Sequence, residues 1–135
     1  MIEQVIPFVY ALLTSGYFPV GAEPVVDPTE MSVAYFQQGD ALEGIHWAAK
    51  AAGHEELTEW AQLTATCESG LRYAPKENPG YAGIMQHSLA FWWGRAEAAG
   101  VPGADPENPY FNVYVSIKMV GDLGYAHSHW ECSPW

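Results

Sequence analysis

The sequence predicts a mainly α-helical single domain, with a small strand content left open as an α+β alternative. Apolar residues recur at helical spacing in several windows, and capping residues, glycines or prolines bound these windows. No stretch shows the strong apolar–polar alternation that is typical of a half-buried strand. The 135 residues, 49% of them hydrophobic, are enough for one domain with a core of its own.

Residues 1–26 are predicted to form an irregular N-terminal extension. Glu3 stands where a signal peptide carries basic residues, and Pro7 and Pro19 interrupt the apolar run, so we expect no signal peptide. No apolar run reaches the roughly 20 residues that span a bilayer. The glycines and prolines between residues 16 and 28 exclude a regular element.

The domain itself is predicted to cover residues 27–135 and to begin with a helix. Asp27 can cap this helix, and Pro28 suits its first position. The helical pattern extends over residues 28–52, with a break expected near Gly39-Asp40.

Three further helices are predicted, each bounded by glycine or proline, at residues 55–66, 84–99 and 110–122. Proline-containing loops are predicted between them at residues 71–82 and 101–109. The tail, residues 125–135, is aromatic and is expected to be irregular.

The charge of the chain argues against two classes of partner. The formal net charge is −11, with 16 acidic side chains against five Lys and Arg. Such a surface repels phosphate backbones and anionic lipid, so we expect neither a nucleic-acid partner nor a membrane partner. From the residues alone, Cys67 and Cys132 are either two free thiols or one disulfide across a long loop.

Glu68 is the sharpest candidate for chemistry. It follows an apolar helical pattern and has Cys67 beside it, so partial burial is expected. A buried carboxylic acid keeps its proton at higher pH and can protonate the leaving oxygen of a glycosidic bond. The alternative is a solvated glutamate near a helix end. The chain also has six tryptophans and eight tyrosines, whose flat rings can pack in the core or stack on sugars.

Four motifs in order extend this pattern. They are Cys67-Glu68-Ser69-Gly70, then Tyr81-Ala82-Gly83-Ile84-Met85-Gln86, then Trp92, then Trp130-Glu131-Cys132-Ser133. Together they resemble the lysozyme-like superfamily of lytic transglycosylases, and most of all the resuscitation-promoting-factor type of domain. Related domains occur in bacteriophage tail and lysin proteins. The resemblance covers about residues 57–133, and Leu71, Ala82 and His87 depart from the family pattern.

The resemblance implies a single lysozyme-like domain with several helices around a glycan cleft. It implies that Glu68 is the catalytic acid and base, that Gln86 lines the cleft, and that Trp92 is buried or at the cleft edge. It also implies a tyrosine from the last helix near the acid, either Tyr110 or Tyr114. Tyr81, just before Gly83, is expected to be a stacking platform for sugar.

The resemblance further implies a Cys67–Cys132 disulfide, and therefore an oxidising compartment. The expected location is extracellular, at the cell wall or associated with a virion. No cofactor is expected. His127-Ser128-His129 could hold a metal on a strand, but no third ligand stands at typical spacing, so no metal is expected either.

The expected reaction is cleavage of the bacterial peptidoglycan strand at the MurNAc–GlcNAc β-1,4 bond. A hydrolase needs a second carboxylate, for which Glu77 is the first candidate, ahead of Asp105, Asp122 and Glu131. The family's transglycosylases instead use the muramyl 6-hydroxyl as nucleophile, with one glutamate. The alternative function is a non-catalytic module, which binds peptidoglycan or forms part of a phage tail.

Overall fold

The computed structural model describes residues 25–135, and the mainly α prediction is confirmed there. The α-helices are α1 (Pro28–Gln37), α2 (Ala41–Ala51), α3 (Thr58–Ser69), α4 (Leu89–Ala98) and α5 (Pro109–Gly121). Two short antiparallel strands, β1 (Tyr81–Ala82) and β2 (His87–Ser88), pair Tyr81 with Ser88 and Ala82 with His87. Turns of 3-10 helix cover Glu55–Leu57 and His127–His129. Of the predicted extension, only residues 25 and 26 are described, and they are not helical.

The predicted break in the first helical stretch is confirmed. The Asp27 carboxylate accepts a hydrogen bond from the Thr29 N–H at the start of α1, and Asp40 does the same for Glu43 at the start of α2. The two helices cross closely because Gly44 has no side chain. A Cβ atom on Gly44 would lie 2.7 Å from the Phe36 ring.

Helix α3 extends three residues beyond its predicted end at residue 66. A 3-10 turn precedes it, and Gly70 ends it in the left-handed conformation, with φ at 64°. Glu68 therefore lies in the last turn of α3 rather than in the turn that follows it.

The predicted helix 84–99 is wrong over its first five residues. Residues 84–88 form the turn and second strand of a β-hairpin, and α4 begins at Leu89. Gln86 has a left-handed backbone with φ at 54°, which a helix cannot contain. Tertiary hydrogen bonds from α3, α5 and the tail hold this segment, and periodicity within one segment cannot reveal them.

Helix α5 packs against α1, α2, α3 and α4. Its start at Pro109 is one residue before the predicted one, and Asn108 caps it. The core around it contains large side chains that are fully buried, among them Ile45, Trp60, Ile84, Met85, Trp92, Val113 and Ile117. Among residues 25–135, no helix combines the length and apolarity that crossing a bilayer demands.

Candidate active site

A cleft of about 340 Å³ lies between α3, the hairpin, α4 and the tail. It brings together three of the residues predicted from sequence, Glu68, Tyr81 and Gln86. The other lining residues are Asn78, Ser88, Phe91, Arg95, His129, Trp130 and Glu131. Elements that are distant in the sequence thus converge on the side chain at the end of α3.

The Glu68 carboxyl is partly buried, and burial raises its pKa above the usual value for glutamate. The negative charge of Glu131 raises the pKa further, while a hydrogen bond from the Cys132 backbone opposes both effects. The balance favours the protonated acid. Glu68 can therefore hold a proton at a pH at which a solvated glutamate has lost it.

The tail forms one wall of the cleft, and α3 holds it there. The Cys67–Cys132 disulfide is present, with a Cα–Cα distance of 5.7 Å. Because Glu68 follows Cys67 and Glu131 precedes Cys132, the bond brings both glutamates to the same cleft. The Trp60 indole N–H donates to Ser133 Oγ at 3.0 Å and adds a second link between α3 and the tail.

The hairpin forms the opposite wall and presents Gln86. The Gln86 amide nitrogen donates to the Gly83 carbonyl at 3.0 Å, within the turn. The Met85 N–H donates to Asn112 Oδ1 at 2.8 Å, and the Trp130 indole donates to the Met85 carbonyl at 2.9 Å. Hydrogen bonds thus fix both the N–H and the carbonyl of Met85, and this restraint stabilises the left-handed backbone of Gln86.

The second strand of the hairpin begins with His87, whose side chain is fully buried. Its Nε2 lies 2.7 Å from Ser116 Oγ and 3.1 Å from the Asn112 carbonyl, so we assign the ring proton to Nε2. Its Nδ1 faces the Arg95 guanidinium at 3.4 Å. Burial, reinforced by the Arg95 charge, lowers the pKa of His87 to about 3. The ring is therefore neutral at any pH near 7.

Two aromatic rings stand at the rim of the cleft. Tyr81 is 46% exposed and Phe91 is 64% exposed, although both line the cleft. A solvent-facing ring beside hydrogen-bonding groups suits a sugar, which has both an apolar face and hydroxyl edges. Tyr81 therefore offers an exposed aromatic surface to a ligand in the cleft.

The structure does not bring three of the predicted substrate-binding residues to the cleft. Trp92 is fully buried in the core, and its indole N–H donates to the Ala104 carbonyl at 2.8 Å. Tyr110 is buried, with its hydroxyl 3.1 Å from Thr29 Oγ1, and Tyr114 packs against the Tyr110 ring. These three aromatic residues belong to the packing of the helices instead.

Glu77 is also outside the cleft lining. It pairs with Arg72 on an exposed loop, and this hydrogen bond lowers its pKa. The carboxylate that shares the cleft with Glu68 is Glu131. Its place next to Cys132 was the sequence signal, because a disulfide from Cys67 brings the neighbours of both cysteines together.

The two tail histidines have separate surroundings. His127 packs against the rings of Trp60 and Trp135, while His129 Nε2 lies 3.1 Å from Arg95 Nη2. Within residues 25–135, no group of three or more His, Cys, Asp or Glu side chains is arranged to hold a metal ion.

No protein-family model, no curated protein and no solved structure matches this chain. The chemistry of the cleft therefore carries the functional argument.

Proposed function

We propose that this chain cleaves the glycan strand of bacterial peptidoglycan at the β-1,4 bond between N-acetylmuramic acid and N-acetylglucosamine. The observation that carries the proposal is the raised pKa of Glu68 in a cleft lined by an amide and two exposed rings. The order of the four sequence motifs supports it. A glutamate that retains its proton is the group that glycosidic cleavage requires.

In the first step, Glu68 transfers its proton to the glycosidic oxygen as the bond to the sugar's anomeric carbon breaks. The leaving sugar departs as a neutral alcohol, and positive charge develops on the remaining sugar. The resulting Glu68 carboxylate then accepts a proton from the incoming nucleophile. One side chain thus serves as acid and then as base.

The nucleophile decides which product forms. Attack by the muramyl 6-hydroxyl gives a 1,6-anhydro sugar, and this route needs one glutamate. Attack by water gives a reducing sugar and needs a second carboxylate, for which Glu131 stands in the same cleft. With Glu131 in the cleft, both routes have the carboxyl groups that they require.

The proposed place of action is outside the cytoplasm, at the cell wall or on a virion. The Cys67–Cys132 disulfide supports this, since such bonds persist in oxidising compartments. The substrate supports it as well, because peptidoglycan lies outside the cell membrane.

The test is mass spectrometry of peptidoglycan digested with the full chain and with a Glu68→Gln variant. The variant keeps the shape of the side chain but carries no transferable acid proton, so cleavage should fall at least about 100-fold. The matched control is Glu77→Gln, the same change on an exposed loop outside the cleft, which should cleave like wild type. An anhydro-muramyl mass identifies a transglycosylase, and a reducing end identifies a hydrolase.

If the Glu68→Gln variant released cleavage products at the wild-type rate, the proposal would be contradicted. Glycan binding by the wild-type chain without any new chain ends would replace it with the non-catalytic binding module.

A further inference from the structure

Arg95 is unusual among the basic side chains of this acidic protein. Among residues 25–135, no other Lys or Arg side chain lines the cleft that contains Glu68. Arg95 also forms no ion pair with a carboxylate of the described residues. Arg72, Lys76 and Lys118 each pair with a carboxylate on the surface. Arg95 thus brings a guanidinium without a direct ion-pair partner into a cleft that Glu68 and Glu131 also line.

Two histidines hold the Arg95 guanidinium without cancelling its charge. Nη1 lies 3.4 Å from His87 Nδ1, and Nη2 lies 3.1 Å from His129 Nε2. His87 is neutral, and burial lowers the pKa of His129 as well, with Arg95 adding to the effect. A guanidinium has five N–H donors, so several remain available to a ligand.

Aromatic rings fix the plane of the group further. The guanidinium carbon lies 5.5 Å from the centre of the Phe91 ring and 6.0 Å from that of Tyr125. Both distances are in the range of cation–π attraction. The side chain is therefore oriented before any ligand arrives, and less entropy is lost when one binds.

Arg95 also stands where two grooves meet. A second, more apolar groove of about 630 Å³ adjoins the cleft and shares Phe91, Arg95 and His129 with it. Leu123 and Tyr125 line its far side. A ligand that continues from the cleft into this groove passes the guanidinium.

We propose that Arg95 binds a carboxylate of an acidic peptide attached to the glycan strand, and that the adjoining groove holds the apolar part of that peptide. The inference rests on the proposed function in that the cleft holds the glycan. A planar guanidinium binds a carboxylate through two parallel N–H···O hydrogen bonds. The net charge of the chain, −11, otherwise repels such a peptide. The contact with Arg95 therefore favours glycan strands that carry peptides over strands without them.

The experiment measures Kd by calorimetry with full-chain Glu68→Gln protein, which leaves ligands intact. The probes are N-acetylmuramyl-L-alanyl-D-glutamate, the same molecule with both carboxylates converted to amides, and a neutral N-acetylglucosamine tetramer. The acid form should bind about tenfold more tightly than the amide form, because it adds charge-assisted hydrogen bonds. This comparison changes the ligand alone, so it does not depend on how a variant folds.

Arg95→Gln, added to the Glu68→Gln protein, should remove the preference for the acid form, and the Kd of the tetramer with the same protein shows whether the cleft still binds glycan. The matched control is Lys50→Gln, which removes one positive charge outside the cleft. Its ammonium lies 4.9 Å from the centre of the Trp47 ring and has no carboxylate partner among residues 25–135. The control should keep the tenfold preference.

Equal affinity for the acid and amide forms would overturn the inference, and so would an equal loss of preference in Lys50→Gln. If glycan cleavage depends on Glu68 but the acid and amide forms of the ligand bind equally well, the carboxylate site is rejected and the proposed reaction stands. If no cleavage occurs but the acid form is preferred and the preference needs Arg95, the proposed reaction fails and the carboxylate site stands.

Discussion

The two walls of the cleft are held in different ways. No disulfide holds the hairpin wall, residues 81–88. Side chains from three other parts of the chain bind its backbone: Ser69 binds the Ile84 carbonyl, Asn112 binds the Met85 N–H and Trp130 binds the Met85 carbonyl. The tail wall, residues 127–133, is partly exposed. A disulfide and Trp60 join it to α3, and Trp130 and His129 add noncovalent contacts with the hairpin and α4.

The difference shows which parts of the fold each functional group depends on. Gln86 depends on α3, α5 and the tail together, so many distant substitutions should disturb it. Glu131 lies between Cys132, which the disulfide joins to α3, and Trp130, which donates to the hairpin, and a short covalent path through the disulfide connects it to Glu68. A covalent bond thus restrains the acid and its neighbouring carboxylate relative to each other, whereas the amide relies on noncovalent contacts.

The largest expected effect comes from removing the covalent link. A Cys67→Ala, Cys132→Ala double variant should lose roughly 4 kcal/mol of unfolding free energy, because the link across 65 positions restricts the unfolded chain. Urea unfolding measures the loss, and wild-type protein in reductant should reproduce it. A loss below about 1 kcal/mol would show that noncovalent contacts suffice for the tail wall.

Two glycines near the hairpin wall should respond differently to substitution by alanine. Gly83 and Gly80 both have positive φ, at 82° and 87°. A Cβ atom on Gly83 would lie 2.0 Å from Asn112 Nδ2 and 2.5 Å from the Pro106 carbonyl, whereas none of the described atoms lies within 4 Å of one on Gly80.

Gly83→Ala must therefore displace Asn112 from its hydrogen bonds with Met85, Ala82 and Pro106. We expect a loss of roughly 3 kcal/mol from the buried groups left unpaired, against about 1 kcal/mol of backbone strain for Gly80→Ala. Chemical denaturation measures both variants. Equal losses would mean that Asn112 does not hold the wall.

The same contrast explains what the sequence could predict. The partial burial of Glu68 was predictable from the apolar helix before it, and the helices from their local caps and glycines. The disulfide was expected only from the resemblance of the motifs that contain Cys67 and Cys132. The hairpin was not predictable, since Ile84 and Met85 fit a helical pattern and their hydrogen-bond partners, Ser69 and Asn112, lie 15 and 27 positions away. Tyr110 and Tyr114 were misplaced for the same reason, because the face that a helix buries depends on its neighbours.

Acid should destabilise the fold through His87, the buried histidine of the hairpin wall. The pKa of His87 is lowered to about 3 in the folded chain, while an unfolded chain binds the proton near pH 6.5. The unfolding free energy should therefore fall as the pH falls from 6.5 towards 3, by up to about 1.4 kcal/mol per pH unit. Urea unfolding at pH 7 and pH 5 tests this, with NMR of the His87 ring to confirm that it stays neutral.

His54 supplies the opposing control. Hydrogen bonds to Asp122 and Glu56 raise its pKa, so its contribution to stability is complete below pH 6.5 and is lost as the pH rises through the folded value. His54→Gln should remove the gain in unfolding free energy that accompanies acidification towards pH 6.5, and should leave the decline between pH 6.5 and pH 5 in place. A His87 ring that titrates near pH 6.5 in the folded protein would disprove the account of the buried network.

The smallest effect tests whether the tail wall tunes the acid. The charge of Glu131 contributes to the raised pKa of Glu68, so Glu131→Gln should lower that pKa. Under the proposed function, the alkaline limb of kcat/KM reports loss of the Glu68 proton. It should move to lower pH in Glu131→Gln and stay in place in Glu77→Gln. If water is the nucleophile, Glu131→Gln should also lower kcat. If the muramyl 6-hydroxyl is the nucleophile, kcat near the pH optimum should stay unchanged. An alkaline limb at the same pH in Glu131→Gln would show that the Glu131 charge does not raise the pKa of Glu68.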